Sequence, residues 1–246
     1  MDLMRRQWLT GICSAGVGIV LLGCETRSAK DEEEEASEKA GKEGAATEVA
    51  ATEDLMREHG VLRRALLVYQ ETAVKLRSKA SAVPPDVLQR TAKLFRAFGE
   101  EYHEKKLEEA YIFPAVQKAG GLAAAYSGVL IAQHQRGREI TDYILATTAA
   151  PKLTRGSVGP LARAMEALVR MYQHHAAIED TVVFPTWKQT LTKDQMDEMS
   201  DKFEELERQQ FGRDGYEDVV KQIDEIEEAL ALSDLGLFTA PPPPSR

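Results

Sequence analysis

His174 and His175 are followed by Glu179, Asp180, Phe184 and Pro185, and a matching block stands 71 residues upstream, where His103 precedes Glu108, Glu109, Phe113 and Pro114. The segments HEKKLEEAYIFP and HHAAIEDTVVFP align without a gap as H-x-x-x-x-E-[ED]-x-x-x-F-P. Imidazoles and carboxylates at fixed steps in helical sequence are the parts from which helical bundles build carboxylate-bridged dinuclear metal sites. Nitrogen and oxygen donors together suit iron, manganese or zinc. Cys13 and Cys24 are the only cysteines and both lie near the N-terminus, so thiolate sites are excluded from the rest of the chain.

Helix geometry orders these candidates. His175 and Glu179 are four apart, about 40° round an ideal helix, and share a face. His103 and Glu108 are five apart, about 140°, which an ideal helix would splay. A local π-bulge would bring them together, and such bulges favour functional sites. His174 and Glu179 have that same five-residue step. Either His174 is the repeat's ligand, or His175 is and the first block is irregular; geometry favours His175, with His174 as an extra ligand. Glu109 and Asp180 sit one residue further on, about 100° round the helix, and are expected to face outward. The two Phe-Pro pairs read as structural, the phenylalanine filling core and the proline interrupting the hydrogen-bond ladder. Tyr102, Tyr111 and Tyr172 flank the blocks and are read as packing residues.

The elements that must position these residues are helices. Leu55, His59, Leu62, Leu66, Tyr69, Ala73 and Leu76 recur at steps of three and four, placing His59 on the apolar stripe of a first helix from Thr52 to the break at Pro84-Pro85. A second is expected from about Asp86 to Lys118, ending at Gly120-Gly121. A third covers roughly Leu122 to Thr147 and carries His134, and a fourth runs from Gly159-Pro160 to Gln189. Short connections make an antiparallel four-helix bundle the economical arrangement, within an all-α chain. One hairpin is used twice: His59 then the first block, His134 then the second. Beyond residue 190, Thr192-Lys193-Asp194-Gln195 resembles a capping box. Two further helices, Lys193 to Gln210 and Tyr216 to Leu230, form a C-terminal cap over 191–232, followed by a Pro-rich tail, 233–246.

The N-terminus reads as an export signal over residues 1–23. Arg5 and Arg6 precede an apolar stretch, Thr10 to Leu22, too short to span a bilayer. Leu21-Leu22-Gly23-Cys24 resembles a bacterial lipobox, implying cleavage before Cys24 and lipidation of its thiol, and the Arg-Arg pair resembles a twin-arginine signal. Residues 24–51 are acidic and small, without an aromatic, and read as a disordered tether. These features imply an exported lipoprotein at the cell envelope, meeting the membrane through Cys24. The formal net charge of −9 and the lack of a basic stripe interleaved with aromatics exclude nucleic acid as a partner.

From Thr52 to Gln189 the chain resembles the hemerythrin family and its HHE cation-binding relatives: His on helix 1, H…EE…FP on helix 2, His on helix 3 and H…E…FP on helix 4. The resemblance implies a four-helix bundle around a non-haem di-iron centre, with zinc or manganese less expected. It makes His59, His103, His134 and His175 terminal ligands and Glu108 and Glu179 bridges, and implies a small diatomic partner such as O2 or NO. Oxygen-carrying members bear a second histidine four residues after the first on helix 3. Here Arg138 stands at that step from His134, which counts against reversible oxygen storage more than against iron binding.

The leading expectation is therefore a di-iron module that binds or senses oxygen, nitric oxide or redox state. The alternatives are a di-iron oxidoreductase acting on peroxide or nitric oxide, and a metal-free helical adaptor. A ferritin-like site needs two Glu-x-x-His pairs, and only Glu100 to His103 supplies one. A zinc hydrolase motif fails because His103-Glu104 has no second His at the required step. Cys24→Ser is expected to leave uncleaved, lipid-free precursor, read by mass spectrometry of the membrane fraction; normally processed, lipid-bearing protein would refute the anchor.

Overall fold

In the computed structural model the described residues are 49–79, 81, 83–212 and 215–244. The export signal, Cys24 and the tether up to residue 48 lie outside the described residues. All regular structure among the described residues is helical, and none of these helices is long and apolar enough to cross a membrane.

Helix α1 spans Ala51–Lys79, with Glu53 and Asp54 in its first turn and Arg77 and Lys79 in its last, complementing the helix dipole. Its predicted stripe from Leu55 to Leu76 is buried throughout. Helix α2 is one continuous helix in three parts: α-helical Pro85–Leu94, π-helical Phe95–Ile112, and α-helical Phe113–Ala119. Gly120 and Gly121, at φ 79° and 74°, take the left-handed conformation that turns the chain into α3, Gly121–Thr148. Helix α4 comprises Arg155–Ile178, a π-helical turn at Glu179–Val183, and Phe184–Gln189.

Helix α4 starts four residues before the expected Gly159-Pro160. Thr154 caps it, its side chain accepting from the Ser157 N–H, and that cap outweighs the proline. Pro160 costs only the bond to the carbonyl of Gly156, which is exposed and open to water.

Cross-helix pairs fix the topology. Glu58 meets His103 and Tyr69 meets Phe95, so α1 and α2 run antiparallel. Arg96 meets Asp142 and Glu109 meets His134 between α2 and α3, and Arg77 meets Glu166 while His59 meets Asp180 between α1 and α4. Gln133 meets His175 across α3 and α4. This is the up-down-up-down bundle.

Helix α5, Lys193–Phe211, begins with the capping box read from sequence: Thr192 accepts from the Gln195 N–H and Gln195 returns the bond. Helix α6, Gly215–Ala229, follows, and both lie against α1 and α2. Arg64 on α1 pairs with Asp224 and Glu227 on α6, and the Ala51 N–H donates to Ser200 on α5. Trp187, at the end of α4, is 1% exposed and stacks on Phe203 with ring centroids 5.7 Å apart and planes 8° from parallel. Trp187→Ala is expected to lower the unfolding free energy by about 3–5 kcal/mol, through lost burial and the cavity left behind. Urea denaturation measures this; a loss under about 1 kcal/mol would show that the cap does not depend on the ring.

Candidate metal centre

The π-helical segments are where the sequence's irregular spacing is resolved. In both blocks the N–H of the Phe in Phe-Pro bonds the carbonyl five residues back: Phe113 to Glu108 and Phe184 to Glu179. The proline that follows has no N–H and its ring would crowd the carbonyl of an α-helical turn. A wider turn moves that carbonyl aside. In the first block the π-helix extends back over His103, so residues five apart share a face, and His103 Nε2 lies 3.3 Å from Glu108 Oε1. In the second it begins only at Glu179, so His175 and Glu179 keep their α-helical four-residue step at 3.0 Å. The expected π-bulge is present, and it is a helix of 18 residues rather than a single turn.

Six predicted residues converge: His59, His103, His134, His175, Glu108 and Glu179 are all buried. His174, the expected extra ligand, does not join them. It lies on the exposed face of α4, one residue's rotation away from the core, and is excluded from the site. The four rings form two pairs. Nε2 of His59 and His103 are 3.0 Å apart, and Nε2 of His134 and His175 are 3.1 Å apart. Each carboxylate spans both pairs. Glu108 places Oε1 3.3 Å from His103 Nε2 and Oε2 3.3 Å from His134 Nε2; Glu179 places Oε2 3.5 Å from His59 Nε2 and Oε1 3.0 Å from His175 Nε2.

The ring nitrogens point inward because the other edge of each ring is held. Nδ1 of His59 meets Asp180 at 2.7 Å, His103 meets Glu58 at 2.5 Å, His134 meets Glu109 at 2.9 Å, and His175 meets Gln133 at 2.9 Å. Arg63 bonds Asp180, and Arg138 bonds Glu109 at 2.6 Å and Glu104 at 3.1 Å. Here the expectation for Glu109 and Asp180 is corrected. They are only partly exposed: being a quarter turn from the bridging carboxylates, they reach the outer edge of a histidine on the neighbouring hairpin. Phe113 stacks on His134 at 5.5 Å and Phe184 lies tilted against His59 at 5.3 Å, so the Phe-Pro pairs wall the cluster.

Three side chains, Glu58, Arg63 and Gln133, escaped the sequence reading with a signal in plain view, and Arg138 was noted there only as standing where a second histidine would. Glu58-His59-x-x-x-Arg63 and Gln133-His134-x-x-x-Arg138 are a second internal repeat, 75 residues apart. Glu104 and Tyr172 had no such signal. Tyr172 donates to Glu104 Oε1 at 2.5 Å, and both are buried. The Tyr172 hydroxyl approaches α3 where only Gly137 lets it in, since a Cβ there would collide with the phenol. Tyr172 is therefore more than packing, whereas Tyr102 and Tyr111 meet the cap residues Phe211 and Phe203. Glu100 turns to Thr141 and Arg96, which rules it out of the cluster and removes the ferritin-like pair.

The donor set fits a dinuclear cation site. All four oxygens of Glu108 and Glu179 are buried without a hydrogen-bond partner, a cost that native interiors avoid unless another group satisfies them. Proton balance inside the box is awkward. Burial pushes Glu179 well up, reinforced by the nearby charge of Glu108. Burial also pushes His175 down to about 4, with the charge of His134 adding to it, which keeps its lone pair free. At His134 burial is overcome by Glu104, Glu108 and Glu109, and the ring rises to about 10. A cation between each pair of rings would satisfy the ring lone pairs and the carboxylate oxygens together. Glu108, His134, His175 and Glu179 present donor atoms mutually close enough for one ion, as do His59, His103 and Glu108.

Glu108→Ala and Glu179→Ala are expected to lower bound metal below two per chain, read by elemental analysis of the purified protein. Asp180→Ala and Glu109→Ala are expected to keep both positions but weaken metal affinity by about 10–100-fold, because each releases the outer edge of a ring. Full metal retention at unchanged affinity in all four variants would refute the arrangement.

Comparison with known proteins agrees with this geometry. The chain is 43% identical over 192 residues to Uncharacterized protein Rv1995 of Mycobacterium tuberculosis, covering 78% of this chain and 74% of the relative, and the same figures hold for Uncharacterized protein Mb2018 of Mycobacterium bovis. No solved structure matches significantly. The profile described as Hemerythrin HHE cation binding domain matches residues 50–187, which takes in all four bundle helices and the whole cluster. The chain belongs to the hemerythrin HHE cation-binding domain family.

Proposed function

We propose that the protein is a non-haem di-iron module of the cell envelope that binds or senses a small diatomic molecule, O2 or NO. The observation that carries this reading is the pair of buried carboxylates, each presenting one partnerless oxygen to each histidine pair. His59 and His103 would hold one ion, His134 and His175 the other, with Glu108 and Glu179 bridging. Iron so held would supply the centre at which a diatomic binds.

The chain's own residues shape what can enter. A cavity of about 10 Å³ adjoins the cluster, roughly what one water-sized molecule needs. Leu62, Leu66 and Ala176 give it apolar walls, and Tyr172 with Glu104 gives it one polar edge. Such a space admits a diatomic and rejects a bulky organic substrate. Arg63, half exposed, stands at its rim. The lipobox-like Leu21-Leu22-Gly23-Cys24 supports delivery to the envelope, with the acidic segment as spacer.

An oxidoreductase acting on peroxide or nitric oxide is the second reading, favoured by the Tyr172–Glu104 hydrogen bond at the cavity edge. One experiment separates the two. The protein loaded anaerobically with ferrous iron is expected to hold two irons per chain and to change its near-ultraviolet and visible spectrum on adding O2 or NO. Sustained consumption of added peroxide would favour the enzyme. Two irons with no response to either gas would refute diatomic binding.

A further inference from the structure

The two hairpins repeat the Nδ1 hydrogen-bond partners of their histidines, with one exception; beyond those partners, Glu104 stands 4.0 Å from His134 Nδ1 and has no counterpart beside His59 among the described residues. His59 and His134 are treated alike: each Nδ1 meets an acidic residue of the opposite block, Asp180 or Glu109, which an arginine four residues after that histidine bonds in turn. His103 and His175 are not. Nδ1 of His103 meets the Glu58 carboxylate at 2.5 Å, whereas Nδ1 of His175 meets the neutral Gln133 amide oxygen at 2.9 Å. Glu58 and Gln133 occupy the same place in the repeat, immediately before His59 and His134.

Among the Nδ1 partners the difference is one formal charge in a dry place; Glu104 lies beside His134 without hydrogen-bonding it, its oxygens taken up by Arg138 and Tyr172. Glu58 is 4% exposed, and its one ion-pair partner among the described residues is His103. Asp54, Glu207 and Tyr102 are its other neighbours, and the nearby Arg57 is taken up by Asp54 at 2.8 Å. An imidazole whose N–H donates to a carboxylate is a more basic ligand at its other nitrogen than one donating to an amide. The charge-assisted bond is also roughly twice as strong as its neutral counterpart. Low dielectric carries the extra negative charge through the ring to a cation on the far side.

We propose that Glu58 and Gln133 make the two metal positions unequal, so that the His59/His103 position fills first and holds its ion more tightly than the His134/His175 position. This rests on the dinuclear reading of the site. Each position has two imidazoles and an oxygen of Glu108, but Glu179 lies nearer His175, at 3.0 Å, than His59, at 3.5 Å, so the inner ligands alone favour the His134/His175 position and the opposite order is the mark of the outer layer. The repeat makes each position a control for the other.

Cobalt(II), which accepts nitrogen and oxygen donors and is coloured, tests this in the metal-free full chain, titrated against a chelator of known affinity. Two steps are expected, with dissociation constants about 10–100-fold apart, the size of effect that outer partners of metal-bound histidines produce. Gln133→Glu should close the gap by tightening the second step. Glu58→Gln should close it by weakening the first. Both replacements keep side-chain shape, and circular dichroism with a melting curve checks that each variant is folded. Two equal steps in the unaltered protein, a gap unchanged in both folded variants, or tightening of the first step by Gln133→Glu would overturn the inference while leaving the dinuclear site standing. Failure of the unaltered protein to bind two ions would overturn both.

Discussion

Two carboxylates buried with nothing to accept from are the constraint around which this bundle is arranged. An ionised Glu108 or Glu179 in an apolar interior costs several kcal/mol unless positive charge or donors meet it. The fold brings four imidazoles to them, and every remaining feature of the cluster keeps those rings in place. The Nδ1 partners fix which edge faces inward. Phe113 and Phe184 cover two of the rings, and the apolar stripes of four helices keep water out. An acceptor lost at the outer edge would leave a ring free to turn, and the carboxylates would lose their counterparts.

The π-helical backbone follows from the same demand. A regular α-helix cannot put His103 and Glu108 on one face, and the chain widens its helix instead of moving either residue. Phe-Pro is the device that returns it to α-helical register, because proline tolerates no close carbonyl one turn back. In α4 the same device works with a shorter π-segment, since His175 already stands four residues before Glu179. Two local geometries therefore deliver one arrangement of atoms.

Much of this was written in the residues. Helical period, Gly-Gly and Pro-Pro breaks and the doubled block gave the bundle, and the six inner donors followed from the block together with the single histidines on α1 and α3. The block's ungapped alignment misled at one point, setting His103 against His174, because backbone widening absorbs a residue that an alignment must count. The outward assignment of Glu109 and Asp180 was incomplete for another reason. Angles about a single helix axis say nothing of what a neighbouring helix holds out, and here each neighbour offered a histidine edge. Glu58, Gln133, Arg63 and Arg138 were legible as a second repeat. Tyr172 and Glu104 were not, since their meeting depends on Gly137, a glycine whose small size matters only once three helices are in contact.

The crossed partners have a consequence for assembly. His59 on the first hairpin is steadied by Asp180 of the second, and His134 on the second by Glu109 of the first. Neither hairpin alone can orient both of its own histidines, so half a molecule is not half a site. The cluster can form only when the hairpins have docked, late in folding, when long-range contacts close. An ion that binds the docked state and not the separate hairpins then stabilises the whole bundle by mass action. Metal supply and folding would be read out together, as the lifetime of the folded chain.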